Sequence, residues 1–357
     1  MKLTKLRNRF DELKIDAFLV TAGVNRRYLS GYSGDGGWVL ITEQDAMLFT
    51  DFTYLERAQN EAKDFTVIKF PGKEIKPLDC LATATGQLNI KSLGFEADTV
   101  MYSFYEDMAR KLSSINLVPT RKVVEHLREI KTQEEINCMK KASSIADEAF
   151  LNTMKYLKPG VREREIRAHL NYFIQTLGGF KESFEIIIAS GPRGAMPHAK
   201  TSDEIIKEGE LVIIDYGATY NGYCSDCTRT VLIGEADERQ TAVYNLVEKA
   251  QKAAMNTVAP GVECKEVDRV ARDIFAGEGY REEFGHSVGH GVGLMVHESP
   301  GLNSTNNQKL EAGMVVTVEP GLYFSGWGGV RIEDTVLVTD RGFELITGAP
   351  HKLNNFF

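Results

Sequence analysis

The 357-residue sequence predicts a two-domain α+β protein. Its length exceeds what a single hydrophobic core usually organises. Strand-like segments alternate with helix-like segments over residues 1–120, which indicates an α/β layer. The remainder of the chain contains an internal repeat, which indicates two copies of one half-domain. We therefore expect an N-terminal α/β domain at residues 1–125 and a second domain at residues 126–357.

Composition and charge narrow the class of protein. Hydrophobic residues make up 43% of the chain and charged residues 26%, as in ordinary soluble globular proteins. The net charge of −8 argues against a nucleic-acid partner. The sequence has no apolar leader segment and no run of 18 apolar residues, so neither secretion nor a membrane partner is expected. The five cysteines are sparse and scattered, which suits a reducing compartment and predicts a cytoplasmic protein.

The order of elements follows from hydrophobic periodicity and turn residues. Residues 122–156 have helical periodicity without Gly or Pro, and Thr132 followed by Glu135 matches a capping box, which predicts a helix start at Thr132. In the first domain, the patterns predict helices at 1–13, 54–62 and 103–113, and strands at 16–21, 38–41, 46–49, 65–68 and 92–95.

An acidic β-hairpin is predicted around Asn221-Gly222, the strongest short-range signal for a two-residue turn. This turn places Tyr220 opposite Tyr223. The same register puts Asp215 and Asp226 on one face of the sheet, about 7–8 Å apart as diagonal neighbours. Two carboxylates at that distance need a cation or a raised pKa. On this stretch alone, a surface hairpin with two solvated acids is an equal alternative.

The internal repeat favours the metal site. Four buried acids without a cation would cost a great deal of free energy, and the repeat brings four carboxylates to one centre. Three pairs of segments match. They are Pro159-Gly160-Val161 with Pro260-Gly261-Val262, Gly209-x-x-Val-x-x-Asp215-x-Gly217 with Gly313-x-x-Val-x-x-Glu319-x-Gly321, and Asp226-x-Thr228 with Glu333-x-Thr335.

Histidines accompany the predicted acids. His286, His290 and His297 fall within twelve glycine-rich residues, and His198 precedes the acidic hairpin. Their spacing does not match the His-Glu-x-x-His pattern of the zincins. Four carboxylates call for about two divalent ions, and oxygen ligands with a minority of imidazole suit Mn²⁺, Co²⁺ or Zn²⁺. Two such ions can generate a hydroxide nucleophile near neutral pH.

These residues resemble the ligand pattern of the pita-bread metallopeptidases, which include methionine aminopeptidase, aminopeptidase P and prolidase. The resemblance extends over nearly the whole chain, since residues 1–120 resemble the creatinase-type N-terminal domain. Methionine aminopeptidases lack that domain, so the match narrows to the proline-directed branch. The resemblance rests on Asp215, Asp226, His290, Glu319 and Glu333, on Gly-His-Gly-Val-Gly at 289–293, and on Val-Glu-Pro-Gly at 318–321.

The resemblance implies a role for each residue in a pseudo-two-fold catalytic domain. Asp226 and Glu333 would bridge two metals, Asp215 would hold one metal, and His290 and Glu319 the other. Glu319 would also serve as general base. The resemblance also implies that three histidines contact the substrate, stabilise the oxyanion or assist the leaving nitrogen: His198, His286 and His297. Arg331 would orient the carboxylates or the substrate. A structural ion pair is an equal alternative for Arg331.

The implied reaction is hydrolysis of the bond between an N-terminal residue and proline by a metal-bridged hydroxide. The expected cofactors are two divalent ions, manganese first, with cobalt or zinc as alternatives. The expected partners are short proline-containing peptides and a second copy of the chain in a homodimer. Residues 299–309 lack the arginine that many prolidases carry there, which leaves the choice between dipeptidase and aminopeptidase P open.

Three other functions are compatible with parts of this pattern. A catalytically inactive pita-bread module could bind peptides or proteins, and a creatinase shares both domains but works without metal. The complete set of five predicted ligands speaks against both. Promiscuous organophosphate hydrolysis is a further activity that two-metal sites can support.

Overall fold

The computed structural model describes residues 2–70 and 76–354. The chain divides into two compact units, Met1–Arg128 and Glu129–Phe357. Both units combine helices with sheets, so the predicted α+β class is confirmed. No helix among the described residues is long and apolar enough to span a membrane.

The first unit is built on a six-stranded sheet with the order β4-β3-β2-β1-β5-β6. Strand β1 pairs antiparallel with β2 and parallel with β5. The strands are β1 Ala17–Val20, β2 Trp38–Thr42, β3 Ala46–Thr50, β4 Thr66–Lys69, β5 Ser92–Glu96 and β6 Asn116–Thr120, and the helices are α1 Lys2–Arg7, α2 Phe10–Leu13, α3 Gly23–Ser30, α4 Leu55–Glu61, α5 Pro77–Gln87, α6 Tyr102–Lys111 and α7 Val123–Glu129.

Most predicted elements of this unit are confirmed to within two residues at each end. The helix predicted over 1–13 is two short helices, α1 and α2, with the poor helix former Asn8 between them, and Met1 lies outside the described residues. Helix α3 has no counterpart among the predicted elements. Its first turn is stabilised from a distant strand, because Glu96 accepts hydrogen bonds from the backbone N–H groups of Thr21 (2.7 Å) and Ala22 (2.8 Å).

The second unit contains two helix pairs and a set of antiparallel strands. Helix α8 begins after Thr132, as predicted, with both hydrogen bonds of the capping box in place. The helices are α8 Gln133–Met154, α9 Glu163–Thr176, α10 Glu238–Thr257 and α11 Cys264–Gly277, and the strands are β7 Lys181–Glu182, β8 Ile187–Ser190, β9 Leu211–Tyr216, β10 Ala218–Tyr220, β11 Tyr223–Cys224, β12 Cys227–Leu232, β13 Gly289–Gly291, β14 Glu298–Leu302, β15 Val315–Val318, β16 Gly321–Phe324, β17 Gly328–Arg331, β18 Asp334–Thr339 and β19 Gly342–Leu345.

The sequence repeat corresponds to a structural repeat. Strands β9 and β12 pair antiparallel in the first copy, as β15 and β18 do in the second. The matched glycines make matched backbone bonds, from Gly160 N to Ile206 O (2.9 Å) and from Gly261 N to Leu310 O (2.8 Å). The two copies therefore place their acidic strands in equivalent positions.

Gly217 allows the two strands of the acidic hairpin to approach each other. A Cβ atom at this position would lie 2.0 Å from the carbonyl oxygen of Ser225. We expect Gly217→Ala to lower the free energy of unfolding by about 1–3 kcal/mol, because overpacking forces the backbone to move. Gly277→Ala is the matched control, since a Cβ there meets nothing within 4 Å. Urea denaturation of both variants tests this; equal stabilities would contradict it.

Asp147 on α8 gives a pH-dependent prediction. Burial raises the pKa of its carboxyl to about 6, although Gly348 N donates to it at 2.7 Å and Arg229 opposes the shift. The folded pKa lies above the unfolded value near 4, so the stability that the proton confers is complete below about pH 4 and lost as the pH rises through about 6. Asp147→Asn keeps the acceptor for Gly348.

We expect Asp147→Asn to be more stable than the natural protein by about 3 kcal/mol at pH 7.5, and therefore to unfold at higher urea concentration, and to show little difference in stability at pH 4. Urea titrations at the two pH values measure this directly. The same stability difference at both pH values would contradict the assignment.

Candidate metal centre

A cavity of about 500 Å³ lies in the second unit and is lined by residues from both copies of the repeat. The structure places every residue predicted for the site around this one cavity. They are His198, Asp215, Asp226, His286, His290, His297, Glu319, Arg331 and Glu333.

The hairpin register sets the first pair of acids. Asn221 and Gly222 both have positive φ, 47° and 85°, as a two-residue hairpin turn requires. Tyr220 pairs with Tyr223 as predicted, and the β9–β12 ladder continues the same register. The predicted register is thus confirmed, and it directs Asp215 and Asp226 toward the cavity.

The second pair of acids is set in the same way. The β15–β18 and β16–β17 ladders share one register, which places Glu319 across from Glu333. His290 lies on the neighbouring strand β13, and its backbone N–H donates to Thr317 Oγ1 at 3.0 Å. Gly289 permits this close packing, because a Cβ there would lie 2.0 Å from the Thr317 carbonyl oxygen.

Three of the five predicted ligands form one tight group. Ligand atoms of Asp226, His290 and Glu333 all lie within 4.8 Å of one another. Glu319 adjoins this group, since its Oε1 atom is 3.2 Å from His290 Nε2. Asp215 lies on the same cavity wall and accepts a 2.7 Å hydrogen bond from Arg331 Nη2.

The donor atoms fit divalent cations. Asp215 Oδ1 and Glu333 Oε1 are buried and find no hydrogen-bond partner among the described residues. Burial, together with the neighbouring carboxylates, raises the pKa values of Asp226 and Glu333 well above the ordinary range. Buried acids in this state bind cations favourably, because a cation offsets both the lost hydration and the mutual repulsion.

His290 is oriented as a ligand. Its Nδ1 atom is 3.0 Å from the Gly291 carbonyl oxygen, which can only accept a hydrogen bond, so Nδ1 carries the proton. The Nε2 lone pair then faces Asp226 and Glu319. When the metal-free imidazole carries a second proton, Nε2 donates to Glu319 instead. Burial would raise the pKa of Glu319, but this hydrogen bond and the positive charges of His290 and Arg331 outweigh it and lower that pKa.

The other three histidines surround the acids. His286 Nε2 lies 2.9 Å from the Tyr323 hydroxyl, and burial lowers the pKa of His286. His297 packs edge-to-face on His290, with ring centres 4.3 Å apart, and its pKa is lowered by burial and by His290. His198 is exposed at the cavity wall. His198 and His297 can donate hydrogen bonds to a substrate, whereas both ring nitrogens of His286 are engaged within the protein, Nδ1 with the Ser287 carbonyl at 2.8 Å and Nε2 with Tyr323.

Arg331 is buried, and protein groups surround its guanidinium. Besides Asp215 it donates to Thr228 Oγ1, the Pro197 carbonyl and the Tyr323 hydroxyl, each at 3.1 Å. This contact set holds the Asp215 carboxylate in place and ties it to the backbone beside His198.

Two threonines that sequence reasoning did not select join the two copies of the repeat. Thr228 Oγ1 donates to Glu333 Oε2 at 2.7 Å, and Thr335 Oγ1 donates to the Asp226 carbonyl at 2.8 Å. Each threonine therefore supports an acid of the other copy. The repeated Asp/Glu-x-Thr pattern contained this signal.

The fold and the donor set together define a metallopeptidase. Residues 137–340 match Metallopeptidase family M24, and residues 2–130 match the Creatinase/Prolidase N-terminal domain. The chain belongs to family M24, which confirms the resemblance in the sequence. It is therefore an enzyme that uses divalent metal ions, contrary to the alternative of an inactive binding module.

Similar proteins cover the chain from end to end. The Xaa-Pro dipeptidase of Pyrococcus horikoshii is 39% identical over 353 residues, covering 99% of this chain and 98% of that protein. The structure of a Xaa-Pro dipeptidase from Bacillus anthracis has a TM-score of 0.95 and 43% identity, covering 99% and 98% of the two chains. That of the X-Pro aminopeptidase from Thermotoga maritima has a TM-score of 0.91 and 36% identity, covering 96% and 99%.

Proposed function

We propose that this metallopeptidase uses two metal ions to hydrolyse the bond between an N-terminal residue and proline. The observation that carries the proposal is the convergence of four acids and His290 on one cavity, with two buried carboxylate oxygens left to bind a cation. The names of the similar proteins, Xaa-Pro dipeptidase and X-Pro aminopeptidase, support the proline-directed specificity.

Five residues would hold the metals. Asp226 and Glu333 would bind both ions, Asp215 one ion, and His290 and Glu319 the other. Manganese is our first choice, and cobalt or zinc also suits a donor set of four carboxylates and one imidazole. Two divalent ions supply a lowered pKa for an attacking water and polarisation of the scissile carbonyl.

Side chains of the cavity would complete the chemistry. The Glu319 carboxylate would accept a proton from the attacking water. A proline nitrogen carries no hydrogen in the peptide and needs a proton as it leaves. His198 and His297, whose side chains line the cavity, would donate that proton or stabilise the developing oxyanion.

The cavity wall favours peptides longer than a dipeptide. Among the described residues that line it, Arg331 is the only arginine or lysine, and that side chain is buried and bound to Asp215. Arg193, five residues before His198 in the chain, pairs with buried Glu163. Gly301 is the residue of the segment 299–309 that lines the cavity, and this segment has no arginine. A dipeptide's carboxylate would therefore lack a cationic partner on this wall.

Three peptides test the proposal. With Mn²⁺, Co²⁺ or Zn²⁺ present, we expect release of alanine from Ala-Pro-Ala, slower cleavage of Ala-Pro, and none of Ala-Ala-Ala. Cleavage of Ala-Pro alone would make the protein a dipeptidase. Failure to cleave any of the three with each metal would refute the proline-directed activity.

We also propose a cytoplasmic homodimer with an N-terminal domain at 1–125 and a catalytic domain at 126–357. No disulfide joins any of the five cysteines in the described part of the chain, which supports a reducing compartment. Light scattering tests the dimer, and a monomeric mass would contradict it.

A further inference from the structure

A buried carboxylate in the first copy of the repeat ties down the loop that carries His198. Glu163, the first residue of α9, is fully buried. Its Oε1 atom accepts from Ser190 N (2.8 Å), Ser190 Oγ (2.9 Å) and Arg193 Nε (3.2 Å). Its Oε2 atom accepts from Ser202 N (2.9 Å) and Ser202 Oγ (2.7 Å). One side chain thus joins both ends of residues 190–202.

Arg193 extends this arrangement into the loop, because it also donates to the Lys200 carbonyl. Between these contacts lies His198, on the cavity wall. We call Glu163 and Arg193 the first clamp. A buried carboxylate costs free energy unless it is paired and hydrogen-bonded, so the five donors around Glu163 fix it in one position.

The second copy has its own clamp, Asp268 and Arg272 on α11. Asp268 is fully buried and accepts from Val288 N at 3.0 Å and from Arg272 Nε at 2.6 Å. Arg272 in turn donates to the carbonyls of Phe284 (3.2 Å) and His286 (2.5 Å). This second clamp holds residues 284–288, and with them the backbone of His286.

Each clamp forms hydrogen bonds to a loop beside the cavity, but the two clamps use residues at different positions of the repeat. Helices α9 and α11 are equivalent in the repeat, but the position that matches Glu163 is the buried Cys264. Asp268 lies one helical turn further along. Both copies therefore contain a buried carboxylate paired with an arginine, although the sequence positions differ.

We propose that Glu163 and Asp268 are positioning residues that set His198 and His286, respectively, against the substrate. This inference rests on the proposed function, in which His198 contacts the peptide, and on the predicted contact of His286 with the substrate. The hydrogen bonds of both clamps go to the loops and to none of the five metal-binding residues. Loss of the first clamp should therefore move His198 and leave metal binding intact. The second clamp borders the metal-binding residues, because the Val288 carbonyl that follows it accepts from Glu319 N at 2.7 Å.

Hydrogen exchange of the metal-loaded protein tests the clamps without reference to activity. We expect Glu163→Gln to accelerate amide exchange at least tenfold within residues 190–202 and to leave residues 284–288 unchanged. Asp268→Asn should do the reverse. Glu266→Gln is the matched control, because it removes an exposed ion pair with Arg269 on the same helix as Asp268 and should change neither segment.

A double-mutant cycle tests the link to catalysis. Glu163→Gln should lower kcat/KM for Ala-Pro-Ala 10- to 100-fold with unchanged metal content. In a His198→Ala background the same substitution should lower kcat/KM only about threefold, because the effects of residues that act through one another are not additive. Asp268→Asn should behave likewise with His286→Ala. Should either variant fail to fold, Ser202→Ala removes one hydroxyl donor of the first clamp. Arg272→Lys can keep the ion pair with Asp268, but an ammonium cannot also reach both carbonyls of the second clamp.

Three results would overturn the proposal: simultaneous loosening of both loops in either variant, loss of metal from Glu163→Gln, or full multiplication of the defects in the double mutants. The exchange measurement gives its answer whether or not proline peptides are cleaved, so failure of the clamps is distinguishable from failure of the proposed function.

Discussion

Asp226→Asn is expected to abolish metal loading and to lower peptidase activity at least a thousandfold while the protein remains folded. Asp226 is buried, and a ligand atom of its carboxylate lies in the tight group with His290 and Glu333. An amide supplies one neutral oxygen in place of a carboxylate that we expect to bind both ions. Metal analysis after reconstitution and dialysis measures the loss, with peptide release measured on the same samples.

The metal-free state supplies the control for this variant. Without metal, the Asp226 carboxylate is repelled by Glu333, Asp215 and Glu319. Replacing it with a neutral amide should therefore leave the metal-free variant at least as stable as the metal-free natural protein. Metal should then raise the melting temperature of the natural protein and leave that of Asp226→Asn unchanged. Full activity or normal metal content in the variant would refute the bridging role of Asp226.

Arg331→Met is expected to have the second largest effect. It removes the partner of Asp215, and breaking a buried ion pair by deleting one side typically costs about 3–5 kcal/mol. We expect the metal-free variant to be destabilised by this amount. The loss should be smaller with metal, because a cation would then compensate Asp215. Adding Asp215→Asn should restore most of the apoprotein's stability.

Activity separates the two roles considered for Arg331. If Arg331 orients Asp215 and the backbone beside His198, turnover per metal-loaded molecule should fall about 100-fold in Arg331→Met. Arg331→Lys should not restore turnover, since an ammonium cannot reach four acceptors in different directions. Arg167→Met, which removes a more exposed arginine of the same unit, should retain activity. Normal turnover together with lowered stability would show that Arg331 acts only as a structural partner of Asp215.

The parts of the site that could be predicted depend on local chemistry and on the repeat. Asn221 and Gly222 specify a two-residue hairpin turn, because both adopt positive φ angles. This turn sets the register of the two strands and so the positions of their acids. The repeat then extends this result to Glu319 and Glu333. Each of these steps needs only the spacing of residues along the chain, which is why the sequence alone supports them.

The parts that could not be predicted depend on contacts between distant segments. Helix α3 has Glu96 at its N-terminus, more than 70 residues away in the sequence. Glu163 lies in the first turn of an amphipathic helix, where a solvated carboxylate is the ordinary expectation. Only the fold shows that Ser190, Arg193 and Ser202 surround it. No local pattern encodes such convergence, because each donor is common by itself.

Anomalous diffraction from crystals loaded with Mn²⁺ tests the two-metal centre most directly. We predict two peaks per chain, about 3.5–4 Å apart, both within bonding distance of the Asp226 and Glu333 carboxylates, with His290 and Glu319 at one peak and Asp215 at the other. A single peak, or peaks that Asp226 and Glu333 do not share, would contradict the proposed dinuclear site.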